Sequence, residues 1–300
     1  MKKTRELLVS SGKHSYLFQL DEPMRNKLRS LYLEMASDIF TFCEENHLIC
    51  MLGGGSALGA VRHKGFIPWD DDLDLNMPRK DYDTFIRLFS EAYKDKYEIF
   101  VPDGHHRITN LFMKVSLKGT LVEDIYTAAN PVKTGVTIDI FPIENVPDAP
   151  LLRKIKGFAA DVFGYATVSA YMFQNREESM RDIYSGSTSA WINYLSRCMI
   201  GAVMSFRPYT WWYLKFDRFV QHSSDSAYCT VPTGRGHYLR EMRKKSVYFP
   251  LKACSFESHS FLIPRDADAY LTQLYGDYMT IPPVEKQERH FYVRIDLGQN

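Results

Sequence analysis

Residues 69–74 place four carboxylates, Asp70, Asp71, Asp72 and Asp74, within five positions. Like charges at this spacing repel, so a fold that keeps the cluster must supply positive charge to it. Asp72-Leu73-Asp74-Leu75 alternates polar and apolar. That predicts an extended strand with both aspartates on one face and both leucines packed behind. Two carboxylates projecting together from a rigid strand make a seat for a hard divalent cation, Mg²⁺ or Mn²⁺. Asp70, Asp72 and Asp74 also have the spacing that opens a calcium loop. Such a loop needs glycine at its sixth position and glutamate at its twelfth, where this chain has Leu75 and Asp81, so that reading is set aside.

The 300 residues allow one domain or two, and a hydrophobic content of 45% is enough to build a substantial core. A formal charge of +1 argues against binding nucleic acid through a general basic field. The five cysteines are scattered without a CxxC pair, which argues against a disulfide framework or zinc site and points to a reducing compartment. Leu7-Leu8-Val9 is too short for a signal-peptide core, so the chain reads as cytoplasmic. Two apolar stretches bear on membranes. Residues 157–173 carry only Asp161 as a charge but fall short of the ~20 residues that span a bilayer, and residues 198–214 are broken at Arg207-Pro208. Buried core helices are the first expectation for both. Peripheral contact with the inner face of a membrane is the alternative.

Met24, Leu28, Leu31, Met35, Ile39 and Phe42 recur at helical spacing, with Asp21 placed to cap and Pro23 in the first turn. Residues 48–52 read as a buried strand entering Gly53-Gly54-Gly55-Ser56, followed by a brief helix over 57–64 closed by Gly65. The aspartate strand runs to Pro78, and a helix follows with Tyr82, Phe85, Ile86, Phe89 and Tyr93 on one side. Residues 111–117 and 120–125 flank Lys118-Gly119 as a hairpin, and 136–141 form a strand stopped by Pro142. A last helix over 266–275 buries Ala267, Tyr270, Leu271 and Leu274 and ends at Gly276. The fold class is α+β, a small mixed sheet with flanking helices over residues 1–150. A helical, aromatic-rich insertion fills 151–225, and 226–300 packs back on the core.

Three features converge on one chemistry. Glycines at 54 and 55 with Ser56 let backbone approach a ligand closely, and the helix behind them offers N–H groups to an anion. Asp72 and Asp74 follow on the next strand. In Thr137-Ile138-Asp139-Ile140-Phe141, alternation isolates Asp139 on the polar face. Three carboxylates around a metal, beside an anion-binding turn, suit phosphoryl transfer, with the third carboxylate as ligand or base. Arg62, His63 and Lys64 either clamp a diphosphate or form a solvated helix end.

The run from Gly54 through Asp74, then Met77-Pro78-Arg79 and Tyr82, then Asp139-Ile140-Phe141-Pro142, resembles the LicD family of phosphocholine transferases, related to the fukutins. The resemblance returns at Tyr275-Gly276-Asp277-Tyr278-Met279 and Pro282-Pro283, so that the blocks cover roughly 22–145 and 247–290. It implies a nucleotidyltransferase-like fold. It also implies transfer of a phospho-alkyl group, phosphocholine above all, from CDP-choline or another CDP-alcohol to a glycan hydroxyl or a lipid-linked oligosaccharide, with release of CMP. Lipopolysaccharide or teichoic acid biosynthesis would be the setting. On it, Asp72, Asp74 and Asp139 hold Mg²⁺ or act as catalytic groups, and Gly54, Gly55 and Ser56 line the donor phosphates. Arg62, His63 and Lys64 match the motif without assigned roles. A choline group would need aromatic faces, for which Trp69 is the nearest candidate. Tyr275 reads as packing, and His290 with Arg289 as phosphate contacts or exposed residues. The alternatives are a nucleotidyltransferase on the same fold and a non-catalytic glycan-binding protein.

Overall fold

The computed structural model describes residues 18–298 apart from 106, 109, 125, 126, 128, 129, 131, 177–180, 182, 183, 186, 187, 288 and 289. Helix α1 (Glu22–Glu45) begins as its sequence dictates: the Asp21 carboxylate accepts the Met24 N–H at 2.9 Å, and Leu28, Leu31, Met35, Ile39 and Phe42 are buried. β1 (Met51–Leu52) leads through Gly53 into α2 (Gly54–Arg62), and β2 (Asp74–Pro78) into α3 (Arg79–Ala92). β3 (Tyr97–Phe100), β4 (Met113–Leu117), β5 (Leu121–Asp124) and β6 (Thr137–Asn145) follow. The main sheet has the order β1-β2-β6-β4-β3, with β2 and β6 parallel and the other pairs antiparallel. Leu73, Leu75, Met77, Ile138 and Ile140 are fully buried, in one core with the inner faces of α1 and α3. Alternation therefore leaves Asp74 and Asp139 on the opposite face.

Next come α4 (Pro150–Gln174), α5 (Thr188–Met204) and α6 (Tyr209–Val220), then β7 (Tyr228–Thr230), α7 (His237–Arg240), β8 (Arg243–Lys244) and α8 (Lys245–Tyr248). β9 (Lys252–Phe256) and β10 (His259–Ile263) form a hairpin, followed by α9 (Ala267–Tyr275) and β11 (Tyr292–Asp296). β7 extends the sheet from the far end of β6, and β11 pairs with β5. Asp266 caps α9 through the Ala269 N–H at 3.0 Å, and Gly276 closes it with φ +73.

Several local expectations are corrected. β2 starts at Asp74, so Asp72 precedes the strand, although Leu73 still accepts the Asp139 N–H at 3.3 Å. The short helix begins at Gly54, three residues early, and its exit uses Lys64 at φ +62. The expected hairpin at Lys118-Gly119 does not form: β4 has β3 on one edge and β6 on the other, so β5 leaves to pair with β11. β6 runs past Pro142 to Asn145. β4 covers one edge of β6 through Ile140 and β7 resumes at Glu144, so Pro142 sits in a gap where a missing donor costs no ladder bond.

The two apolar stretches form α4 and α5 with the start of α6, but they are not simply buried. α5 lies so close to α4 that a Cβ on Gly201 would meet the Ser169 carbonyl oxygen at 2.3 Å. Their outer faces nevertheless expose Leu151, Ile155, Phe158 and Val162 on α4 and Ile192, Leu195, Met199 and Val203 on α5. Among the described residues no helix is long and apolar enough to cross a membrane.

Arg79, at the start of α3, ties three elements together. Its Nε donates to Glu144 Oε1 at 2.6 Å, its guanidinium reaches Asp217 Oδ1 of α6 at 2.7 Å, and Tyr82 lies beneath it. The Glu144 side chain is 1% exposed, and burial raises its carboxyl while Arg79 opposes that. Removing one partner of a buried pair leaves the other uncompensated. Arg79→Met is therefore expected to destabilise the protein by about 3–5 kcal/mol in urea unfolding. Arg79→Met/Glu144→Gln should recover part of that loss.

Candidate active site

The parallel pairing of β2 with β6 puts Asp74 directly beside Asp139, and the antiparallel pairing of β4 puts Lys114 on the other side of Asp139. One row across three strands thus reads Asp74, Asp139, Lys114. Lys114 Nζ reaches Asp139 Oδ1 at 2.6 Å. Burial raises the Asp139 carboxyl above the usual carboxylate range, Lys114 works against that, and the Asp72 charge adds to it. Asp74 is raised well above the ordinary range, first by burial and then by the charges of Asp72, Asp139 and Asp70. The carboxylates named from the sequence therefore converge on one electrostatic site. Sequence patterning does not single out Lys114, because nothing in its own strand states that Asp139 is its cross-strand partner.

Gly54 adopts φ +42, and a Cβ there would stand 3.2 Å from Asp74 Oδ2, while one on Gly55 would stand 3.2 Å from Asp70 Oδ2. The first turn of α2 thus presents backbone to two carboxylates, with the positive end of its dipole toward them. The Gly54 N–H donates to the Tyr270 hydroxyl at 2.9 Å, which anchors α9 to this turn. Ser56 is buried, and its Oγ accepts the Asp74 N–H at 2.8 Å. It fixes the start of β2 rather than lining the cavity.

The remaining acidic residues divide their roles. Asp71 is 4% exposed and hydrogen-bonds His290 Nδ1 at 2.6 Å, while His290 Nε2 lies 3.8 Å from Asp72 Oδ2. Burial disfavours the imidazolium, but the Asp71 hydrogen bond and the charges of Asp72, Asp71 and Asp70 overcome it and raise His290 to about 10. Asp71 thereby anchors the chain entering β11. Asp70 lines the cavity with its carboxyl raised well above the ordinary range, first by burial and then by Asp72. The Arg29 guanidinium of α1 binds the backbone oxygens of Ile67, Pro68 and Asp70 at 2.8–3.2 Å, fixing the loop that carries the cluster.

Asp70, Asp72, Asp74 and His290 line a cavity of about 390 Å³, and Asp139 adjoins it through its neighbour Asp74 rather than as part of the wall. Asp70, Asp72 and Asp74 line one side with Gly54 and Gly55; Arg235, Lys286 and Arg62 bring positive charge to the others. Of Arg62, His63 and Lys64, only Arg62 reaches it. Arg62 lies 5.8 Å from the centroid of the Trp69 ring and donates to the Tyr278 carbonyl at 2.7 Å. His63 packs edge-on to Trp69, and Lys64 is exposed on the outside. Arg235 covers the Tyr275 ring at 5.1 Å, so Tyr275 is a cavity wall as well as a packing residue. Arg289 lies outside the described residues.

Among the described residues no three His, Cys, Asp or Glu side chains form a ready cage for a metal ion. The donor set nonetheless suits Mg²⁺, which typically takes one or two protein carboxylates and completes its shell with water and substrate phosphate. Asp72 and Asp74 are hard oxygen donors facing the cavity, and their mutual repulsion is what a cation there would relieve.

Residues 47–149 match the family described as LicD/FKTN/FKRP, nucleotidyltransferase domain. That stretch is a LicD-family domain. It contains β1 to β6 with Asp70, Asp71, Asp72, Asp74 and Asp139, while residues 231–290 supply the opposite cavity wall, Glu241 and Asp277 included. Over 256 residues the chain is 26% identical to the lipopolysaccharide cholinephosphotransferase LicD of Haemophilus influenzae, covering 83% of this chain and 88% of that protein. An uncharacterized protein of Rickettsia typhi is 31% identical over 105 residues, 33% of each chain. Another from Rickettsia prowazekii is 40% identical over 55 residues, 18% of this chain and 20% of that one.

Ser56→Ala would leave the buried Asp74 N–H without its acceptor, an expected loss of about 1–3 kcal/mol. Faster hydrogen exchange at the Asp74 amide, with α3 unaffected, would locate the damage at the α2–β2 junction.

Proposed function

We propose that the protein transfers a phospho-alkyl group, phosphocholine first among them, from a CDP-activated donor to a hydroxyl of a cell-surface glycan or its lipid-linked precursor, releasing CMP. The observation that carries this reading is the cross-strand row Asp74–Asp139–Lys114, whose Asp74 end lines a cavity with Arg62, Arg235 and Lys286 on its other walls. The LicD-family domain and the name of the Haemophilus influenzae relative support it. Lipopolysaccharide is the first acceptor class to test, and teichoic acid the second. The proposed location is cytoplasmic, at the inner face of the membrane.

In the proposed reaction the acceptor oxygen bonds to the phosphorus bearing the alkyl group. The bond from that phosphorus to the oxygen shared with the nucleotide phosphate breaks, and its electron pair leaves with CMP. Asp139 takes the acceptor proton. Lys114 already compensates its charge, which favours a base over a third metal ligand. Asp72 and Asp74 would hold Mg²⁺, which supplies charge neutralisation at the donor phosphates. Arg62, Arg235 and Lys286 would position those phosphates, alongside the first turn of α2. Aromatic faces for a choline group exist at Trp69 and Tyr275, each with an arginine over one side.

The deciding experiment offers CDP-choline, CDP-ethanolamine, CDP-glycerol and CDP-ribitol with Mg²⁺ and candidate glycans, and measures CMP. Nucleotide retained on the acceptor would instead identify a nucleotidyltransferase. Asp72→Asn and Asp74→Asn should each lower turnover by about a hundredfold or more without lowering the unfolding temperature, because each also relieves repulsion in the cluster. Near-normal turnover in either would sink the metal assignment. Lys114 holds the Asp139 carboxyl down, so Lys114→Met should raise it further. The acid limb of the pH–rate profile would then move to higher pH, and an unmoved limb would remove Asp139 as the base.

A further inference from the structure

The outer surface of the three central helices is apolar to an extent that packing does not explain. On α4, Leu151, Ile155, Phe158 and Val162 recur at helical spacing and are 53–70% exposed. On α5, Ile192, Leu195, Met199 and Val203 do the same at 44–74%, and Phe206 continues the stripe at 71%. The inner faces of both helices are already satisfied, by Tyr165 against Ser196, by Gly201 against Ser169 and by the aromatic cluster around Tyr171. Contiguous exposed apolar stripes on two adjacent helices mark an interaction surface.

Charge selects the partner. Residues 150–220 hold nine Lys and Arg against five Asp and Glu, of which Glu177, Glu178 and Asp182 lie outside the described residues. Every exposed charged residue described there is basic: Lys154, Arg176, Arg181, Arg207 and Arg218. The two acidic residues described there are turned inward, Asp161 accepting the Tyr238 N–H and Asp217 bound to Arg79. On α6, just beyond Phe206, the Trp211 ring has Arg207 at 5.8 Å and Lys215 at 5.1 Å. Apolar faces rimmed by basic and tryptophan side chains are what an anionic lipid surface receives. A two-fold contact between copies would set basic rim against basic rim.

We propose that the exposed faces of α4 and α5 rest in the surface of an anionic lipid bilayer, without crossing it. This deepens the membrane-side location given above. It does not depend on the chemistry, because lipid binding is read without turnover.

The test floats the full chain with vesicles of phosphatidylcholine, with and without phosphatidylglycerol. The wild-type protein should float with the anionic vesicles, and less so at high salt. Met199→Glu/Val203→Glu replaces two exposed side chains, so its unfolding temperature should hold while its vesicle partition coefficient falls about tenfold or more. Phe158→Glu checks the same surface from α4, and Lys154→Glu should weaken binding to anionic vesicles alone. Wild-type protein that stays unbound, or a double variant that floats as the wild type does, would overturn the proposal. So would a wild-type dimer that the double variant makes monomeric, which would assign the face to a second copy.

Discussion

The structure depends on keeping five carboxylates together in a partly buried place. Two unit charges ~4 Å apart repel by roughly 4 kcal/mol at the effective dielectric of a protein surface, against a total stability of about 5–15 kcal/mol. Uncompensated, the Asp70, Asp71, Asp72, Asp74 and Asp139 cluster would consume much of that margin. Each compensating group comes from a different part of the chain. Lys114 is on β4, His290 precedes β11, and the positive helix end belongs to α2. Arg29 of α1 contributes through the backbone of the acidic loop. The strand order that brings these elements together is therefore also the order that makes the cluster tolerable.

That arrangement was partly legible before the fold was known. Alternation at Leu73-Asp74-Leu75 and at Ile138-Asp139-Ile140 correctly separated the polar face from the core, because side-chain direction in a strand is a local property. Caps were equally local, as at Asp21 and Asp266. Pairing was not. The lysine opposite Asp139 lies 25 residues before it, and His290 lies 219 residues after Asp71. No pattern within a strand states its partner: the expected pairing of β4 with β5 gives way to β3 and β6, and only the latter brings Lys114 to Asp139.

Hydropathy misled for a related reason. It measures how apolar a segment is, whereas burial depends on which elements cover it. The stretches that became α4 and α5 were read as core on composition, but each helix meets neighbours on only part of its circumference. Ser56 shows the converse. A serine beside two glycines invited a ligand role, yet its hydroxyl is committed to the Asp74 N–H and the loop–helix geometry depends on it.

The helical part is also mechanically joined to the cavity. Asp161 of α4 accepts the Tyr238 N–H, and Gly157 allows Leu239 to lie directly on the helix. Tyr238 and Leu239 belong to α7, which follows Val231, Gly234 and Arg235 of the cavity wall and precedes Glu241. Glu241 in turn accepts the Gly236 N–H and binds Arg243, which lies over the Tyr270 ring. Tyr270 accepts the Gly54 N–H at the first turn of α2. An unbroken set of contacts thus runs from α4 through the wall that carries Arg235 to the turn beside the acidic cluster. Any surface that holds α4 therefore also orients that wall, and with it the mouth of the cavity.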